Sequence, residues 1–223
     1  MNTQPVISVR GEAIMEAEPE IATISVTVQA RDRDRRTVLD NLTTRNAQVI
    51  ALIKGYGDAV EKLESGTASV YPDMKNKARE ERIIRYLAQA NIHVTVKDFT
   101  VLGELVTRLA DGDLVTVAGP WWSLRPDSPV YREARIAAAK DATRRAQEYA
   151  EAFNAKLGQL IEAADKGLLG GGGESTGMWA AQSAVGAAPG RAYLMEEPGL
   201  DFEPAKQRVT AHIDARFHVI LGD

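Results

Sequence analysis

The stretch that most constrains the fold is residues 21–30, which read I-A-T-I-S-V-T-V-Q-A. Alanine, isoleucine and valine side chains alternate there with threonine, serine and glutamine. Because successive side chains of a strand point to opposite sides, this pattern predicts a β-strand with one buried and one wetted face. Such a strand needs a second layer to cover its apolar side.

Two longer runs alternate in the same way, over residues 83–96 and 207–221. At roughly 3.3 Å per residue the first would reach about 46 Å, which exceeds the usual strand length. We therefore expect a bend or bulge in it, or a strand end that projects towards another subunit.

Three helices are predicted between the strands. Residues 35–54 carry apolar side chains at helical spacing, and Asp98 is a suitable N-cap for a shorter helix. Ser128 followed by proline indicates the start of a third helix over residues 129–154, whose apolar stripe is mostly alanine. Small side chains on that stripe would let the helix lie close to a sheet.

Four shorter strands are predicted, over residues 6–13, 60–71, 115–119 and 157–164. The short turn around Pro19 leads us to expect that the first strand pairs antiparallel with residues 21–30, because short connections join only antiparallel strands. Residues 72–81, which read P-D-M-K-N-K-A-R-E-E, are interpreted as a polar connection.

Helix 35–54 and the two strands after it are matched in type and order by helix 129–154 and the two strands after that helix. We therefore predict an α+β fold, with antiparallel sheets of long strands covered by helices and an approximate duplication of helix–strand–strand units. We expect one domain over residues 1–223, with a long glycine-rich loop or insertion at 167–204.

Bulk composition excludes several classes of protein. The net charge of −4 gives no support to nucleic-acid binding, and the lack of cysteine excludes a disulfide frame and thiolate chemistry. No window approaches the ~18 apolar residues of a membrane span. The N-terminus as printed has no basic and apolar leader, so we expect a cytoplasmic protein.

No catalytic motif stands out. The candidate bases are His93, His212 and His218, each on the polar face of a predicted strand. The last two are about 20 Å apart along an extended strand, too far to share one metal ion. The run G-G-G-G-E-S-T at residues 170–176 lacks the lysine of a phosphate-binding loop. We therefore assign no catalytic, metal or cofactor residues and expect no cofactor.

Aromatic side chains give the best candidates for an interaction surface. Trp121 and Trp122 are adjacent on a predicted strand, so one should be buried and the other exposed, although burial of both under the long loop is the rival interpretation. The candidate interface residues are Trp121, Trp122, Trp179, Tyr193, His93, His212 and His218.

Several segments together resemble the SIMPL-domain family. They are I-S-V-R-G-E-A at 7–13, A-E-P-E-I-A-T-I-S-V-T-V at 17–28, N-A-Q-V-I-A-L-I-K-G-Y-G at 46–57, Y-L-A-Q-A-N-I-H-V-T-V-K-D-F at 86–99 and the alanine-rich run at 134–150. The resemblance implies relatives that include exported bacterial immunogenic proteins and a kinase-associated signalling protein, some of them ring-like homo-oligomers. It carries over no catalytic residue.

The function expected is therefore that of a non-catalytic SIMPL-type protein, which acts as a homo-oligomer or binds a protein partner. The alternative is a small-ligand-binding protein or an unrecognised enzyme, with a pocket under the 167–204 loop near Trp122, Tyr193 and Arg191. An adaptor role towards a kinase rests on the family name alone.

Overall fold

A computed structural model describes residues 5–77, 80–168 and 200–221, without the side chains of residues 75–82. The described elements are β1 (Val6–Ala17), β2 (Ile21–Asp32), α1 (Arg35–Lys54), β3 (Val60–Lys77), β4 (Glu80–Val96), α2 (Leu102–Ala110), β5 (Val115–Ser123), α3 (Pro129–Ala152), β6 (Ala155–Asp165) and β7 (Gln207–Leu221). They form two compact units. The inserted unit comprises, of the described residues, 18–77, 80–125 and 200–207, and the split unit comprises 5–17, 126–168 and 208–221.

The inserted unit is built on a four-stranded antiparallel sheet in the order β3-β4-β2-β5. The apolar side chains of β2 all point to its inner face, where Ile24, Val26 and Val28 are fully buried. Helices α1 and α2 cover this face. α1 contributes Val38 and Ile53, and α2 contributes three buried leucines. The predicted alternation of β2 is thus realised as one covered and one open sheet face.

Ion pairs hold the two ends of the inserted unit together. The backbone N–H of Arg125 donates to Oε2 of Glu20 at 2.8 Å, and its guanidinium hydrogen-bonds to Glu61. This guanidinium lowers the pKa of the Glu61 carboxyl from its usual value. The start of the inserted unit at Glu20 and the end of its main segment at Arg125 are therefore held next to each other.

Residues 200–206 return to the inserted unit as a strap. A Cβ added at Gly103 would lie 2.1 Å from the carbonyl oxygen of Leu200, so only glycine permits this approach to α2. Phe202 packs against the core of the unit. The end of the predicted 167–204 loop is thus anchored, while residues 169–199 lie outside the described part of the chain.

The split unit has a three-stranded sheet in the order β1-β7-β6 with α3 packed on it. Arg10 pairs with Asp214 and Glu12 lies beside His212, so rising residue numbers in β1 meet falling numbers in β7, which is antiparallel pairing. The face towards the helix carries the small cluster of Val9, Ala215 and Phe217.

Glycine in β1 and alanine in α3 allow an unusually close helix–strand contact. A Cβ added at Gly11 would lie 2.0 Å from the carbonyl oxygen of Ala138. The inward stripe of α3 consists of buried alanines, namely Ala134, Ala138, Ala142, Ala146 and Ala150. At this distance the backbone N–H of Glu12 donates to Oδ2 of Asp141 at 3.0 Å. The alanine-rich stripe therefore does the close packing that its sequence predicts.

Each unit contains a strand–helix–strand–strand series with the same spatial order of strands. In the inserted unit the series is β2-α1-β3-β4, with neighbours β2-β4-β3, and in the split unit it is β1-α3-β6-β7, with neighbours β1-β7-β6. The α+β class with antiparallel sheets is confirmed. The approximate duplication is supported by this shared order and stays a prediction, as does the single-domain interpretation.

Two expectations about strands are wrong. β1 does not pair with β2, because β4 and β5 occupy both edges of β2 while β1 pairs with β7. Residues 72–81 are not simply a connection, since backbone pairing runs from Pro72↔Tyr86 out to Lys77↔Glu80. Their polar sequence gives no period-two signal, and only the backbone pairing between β3 and β4 identifies them as strand.

Replacing Gly11 with alanine should destabilise the split unit. The new methyl would collide with the α3 backbone, and forcing extra volume into a packed contact costs about 1–3 kcal/mol. We expect a lower midpoint of urea unfolding monitored by circular dichroism. Ser8→Ala, at an exposed position of the same strand, is the matched control and should leave the midpoint unchanged. Equal midpoints for both variants would contradict the close contact.

Replacing Asp214 with asparagine should make stability less dependent on acid pH. Hydrogen bonds from Arg10 and from the N–H of Gly167 lower the pKa of Asp214, so its ionised form stabilises the fold above the unfolded-state pKa. That contribution is lost as the pH falls through the lowered pKa. We expect Asp214→Asn to unfold at lower temperature than the wild type at pH 7, with a gap that narrows below about pH 4. Asp165→Asn removes the same charge at an exposed site of β6 and should show no such narrowing.

Candidate functional site

The ribbon arm, residues 73–77 and 80–85, is the part of the inserted unit that extends beyond its sheet. Pairing between β2 and β4 ends at Asp32↔Tyr86, whereas β3 and β4 continue to pair with each other as far as Lys77↔Glu80. Five such pairs span about 17 Å at roughly 3.4 Å per residue. β4 therefore has a register shift near the start of the long alternation at 83–96 and an end that extends beyond the sheet, as expected. That this end projects towards another subunit stays a prediction.

Apolar side chains of the ribbon arm face solvent. Met74, Ile83 and Ile84 are 49%, 43% and 46% exposed, and Tyr71 at the base of the arm is 45% exposed. Asp73 and Arg85 form an ion pair at 2.7 Å at the same base. Sequence reasoning did not select the methionine or the isoleucines, although the excess length of the strand pointed to this end of it.

The outer face of the four-stranded sheet is the second candidate surface. It is the side opposite α1 and α2, and register brings Trp121, Thr23 and Thr95 into one row and Ser25 and His93 into the next. Further along are Thr27, Gln29, Gln89 and Asn91. Nearly all of these side chains carry a hydroxyl, an amide or an imidazole, so the face is polar and uncharged along β2 and β4.

The two adjacent tryptophans lie on opposite sides of β5. Trp121 is opposite Thr23 on the outer face and is 52% exposed. Trp122 is opposite the buried Ala22, packs against the core and meets Phe99 edge to face with ring centroids 4.8 Å apart. The structure therefore leaves Trp121 exposed and Trp122 partly buried, as the alternation predicts for neighbouring residues.

The three histidines are divided between the two units. His93 is exposed on the outer face, in the inserted unit. His212 and His218 are half-buried on β7 in the split unit, where Nδ1 of His212 is 3.6 Å from Oε1 of Glu12. In the described residues no group of three or more histidine, aspartate or glutamate side chains could hold a metal ion.

Trp179 and Tyr193 lie outside the described residues, as does Arg191. The expected pocket near these side chains therefore stays a prediction, and its third member, Trp122, is packed into the core. Two other hollows occur in the inserted unit. A groove of ≈ 330 Å³ lies between α1 and α2, floored by Val49 and Leu109, and a smaller hollow of ≈ 90 Å³ lies at the Tyr71 end of the outer face.

Within the described parts of the chain, no helix is both long enough and apolar enough to cross a membrane.

Comparison with known proteins places this architecture in a family. The profile of SIMPL, described as a protein of unknown function (DUF541), matches residues 7–217. The 26 kDa periplasmic immunogenic protein of Brucella melitensis is 30% identical over 173 residues, which cover 73% of this chain and 67% of that protein. The protein of that name from Brucella abortus matches to the same extent.

A third relative is the uncharacterized protein YggE of Escherichia coli K12. It is 26% identical over 156 residues, which cover 70% of this chain and 63% of YggE. The aligned part therefore spans less than two thirds of that relative. The match of the family profile includes both compact units and every described strand and helix in whole or in part. The chain belongs to the SIMPL family.

Proposed function

We propose that the chain is a non-catalytic, homo-oligomeric SIMPL protein whose subunits join through the ribbon arm. The observation that carries this proposal is the pairing of residues 73–77 with 80–85 in a ribbon that no third strand of the described chain supports. An isolated two-stranded ribbon is marginally stable in water, and its unpaired edges are sites where another chain can add.

Exposed apolar side chains give the arm its reason to associate. Met74, Ile83 and Ile84 each leave close to half of their surface in water, and covering apolar surface gains roughly 25 cal/mol per Å². Ile83 lies opposite Met74. Ile84 has no opposite residue in β3, because the register shifts there by one residue. A partner that covers this bulge would contact all three residues.

A second copy of the chain is the partner that we favour. Closed symmetric homo-oligomers are the commonest assemblies of soluble proteins, and every copy brings both an arm and the surface that receives it. Binding to a different protein through the same arm is the rival outcome. The expected cytoplasmic location also stays a prediction, and the printed name of the Brucella relative places that relative in the periplasm.

Light scattering on a sizing column should give a fixed multiple of 24.2 kDa across a concentration series. The variant Ile83→Lys with Ile84→Lys replaces both exposed isoleucines of the arm with charged residues and should shift the mass towards 24.2 kDa, because buried unpaired charges are costly.

Leu160→Lys is the matched control, since Leu160 is a 55% exposed apolar residue of β6 in the split unit. It should keep the wild-type mass, and circular dichroism should show that both variants are folded. A wild type that is monomeric at every concentration would refute the proposal. A folded double variant with unchanged mass would remove the arm from the interface.

A further inference from the structure

The outer face of the four-stranded sheet has the chemistry of a ligand surface rather than of a subunit contact. In the described residues the one hydrogen bond between its side chains runs from Oγ1 of Thr27 to Oδ1 of Asn91, at 2.9 Å. The side chains of Thr23, Ser25 and Gln29 are left with donors and acceptors for other partners. Hydroxyl and amide groups can both donate and accept, which suits a ligand that is itself rich in hydroxyls.

Charge narrows the class of ligand. Along β2 and β4 the face has no acidic or basic side chain from Thr23 to Gln29, apart from the imidazole of His93. At its β3 margin, Lys62 and Glu64 neutralise each other at 2.8 Å. A nucleic acid would require a basic surface, so an uncharged polymer is the better complement.

An exposed aromatic ring stands at one end of this face. Trp121 is 52% exposed and shares its row with the hydroxyls of Thr23 and Thr95. A pyranose ring combines an apolar C–H face with polar hydroxyl edges. An indole ring beside hydroxyl and amide groups therefore offers a stacking surface and hydrogen-bond partners to the same sugar.

A small hollow marks the other end of the face. It measures ≈ 90 Å³ and is lined by Gln29, Gln89, Arg31, Arg85, Tyr71 and Leu87, among others. Arg85 is neutralised there by Asp73 at 2.7 Å. An acetamido group placed in the hollow would meet the two glutamines and the guanidinium of Arg31 with its amide, and Tyr71 and Leu87 with its methyl.

The spacing of these two features sets the length and shape of the ligand. Six residues of β2 separate Thr23, beside Trp121, from Gln29, at the hollow, which is about 20 Å along the strand. One sugar cannot reach both positions, so the ligand must be an extended chain. A flat sheet face complements a flat ribbon such as a β-1,4-linked glycan better than a coiled α-linked one.

We propose that the outer face binds an uncharged, extended β-1,4-linked oligosaccharide of N-acetylated sugars, with one ring stacked on Trp121 and one acetamido group in the hollow beside Gln89. This binding site shares Arg85 with the ribbon arm, at the hollow, but it does not depend on the proposed assembly.

The test is calorimetric titration of the full chain with hexa-N-acetylchitohexaose, and with cellohexaose as the same backbone without acetamido groups. We expect the chitin oligomer to bind at least tenfold more tightly. Trp121→Ala and Gln89→Ala should each weaken its binding at least tenfold. Tyr149→Ala, which removes an aromatic side chain that is 49% exposed in the split unit, should not weaken it.

Each outcome decides the proposal. No binding of the chitin oligomer at millimolar concentration would overturn it, as would unchanged affinity in both outer-face variants. Equal affinity for cellohexaose would overturn the role of the hollow. Light scattering on Trp121→Ala should give the wild-type mass, and the Ile83→Lys, Ile84→Lys variant should keep its affinity for the glycan, so failure of either proposal is distinguishable from failure of the other.

Discussion

β2 is the strand on which the inserted unit depends, because both of its edges are paired and its inner face is covered. β4 and β5 pair with its two edges, its inner face is sealed by α1 and α2, and its inward residues from Ala22 to Val28 have no exposed surface. Slipping its register by one residue would turn the threonines and serines into the core. The same strict alternation that fills the core therefore also creates the polar outer face, because the register that directs the apolar side chains inward directs the polar side chains outward.

The split unit solves the covering of its sheet differently. Its core cluster is small. Instead of packing large side chains together, it brings the backbone of β1 at Gly11 close to the alanines of α3. Close packing of this kind gains dispersion contacts without bulky residues. It also tolerates no added atom at the contact, so the glycine of β1 matters here more than any single apolar side chain.

Local pattern in the sequence was enough to predict the strands and helices but not the partners of the strands. Alternation located β2, β4 and β7, and helical spacing located α1 and α3, because each has one buried face. The pairing of β1 with β7 joins residues far apart in sequence, and no periodicity records such a partner. The outer part of the ribbon was missed for a related reason, since residues 73–77 are strand only through their pairing with β4.

The candidate surfaces show the same division. The opposite placement of Trp121 and Trp122 follows from strand geometry and could be predicted. The hollow at Gln29 and Tyr71 could not, because it requires the registers of three strands at once. His93 is on the outer face, as its position in the alternation of residues 83–96 predicts. Its position opposite Ser25 depends on the register between β2 and β4, which the sequence pattern does not give.

The ribbon arm and the outer face are both built from β3 and β4, so assembly through the arm would also determine how the outer faces are arranged. Assembly through the arm would fix several outer faces in one particle, because the arm is a direct continuation of the strands that carry the face. Flat, open surfaces bind single glycan chains weakly, since they bury little of the ligand and order many of its bonds. Several linked copies on one polymer convert later contacts into intramolecular ones, and avidity can then exceed the single-site affinity by factors of about 10²–10⁴. The arm would thus determine how strongly the sheet holds a polymer, although it contributes only Arg85 to the contact with it.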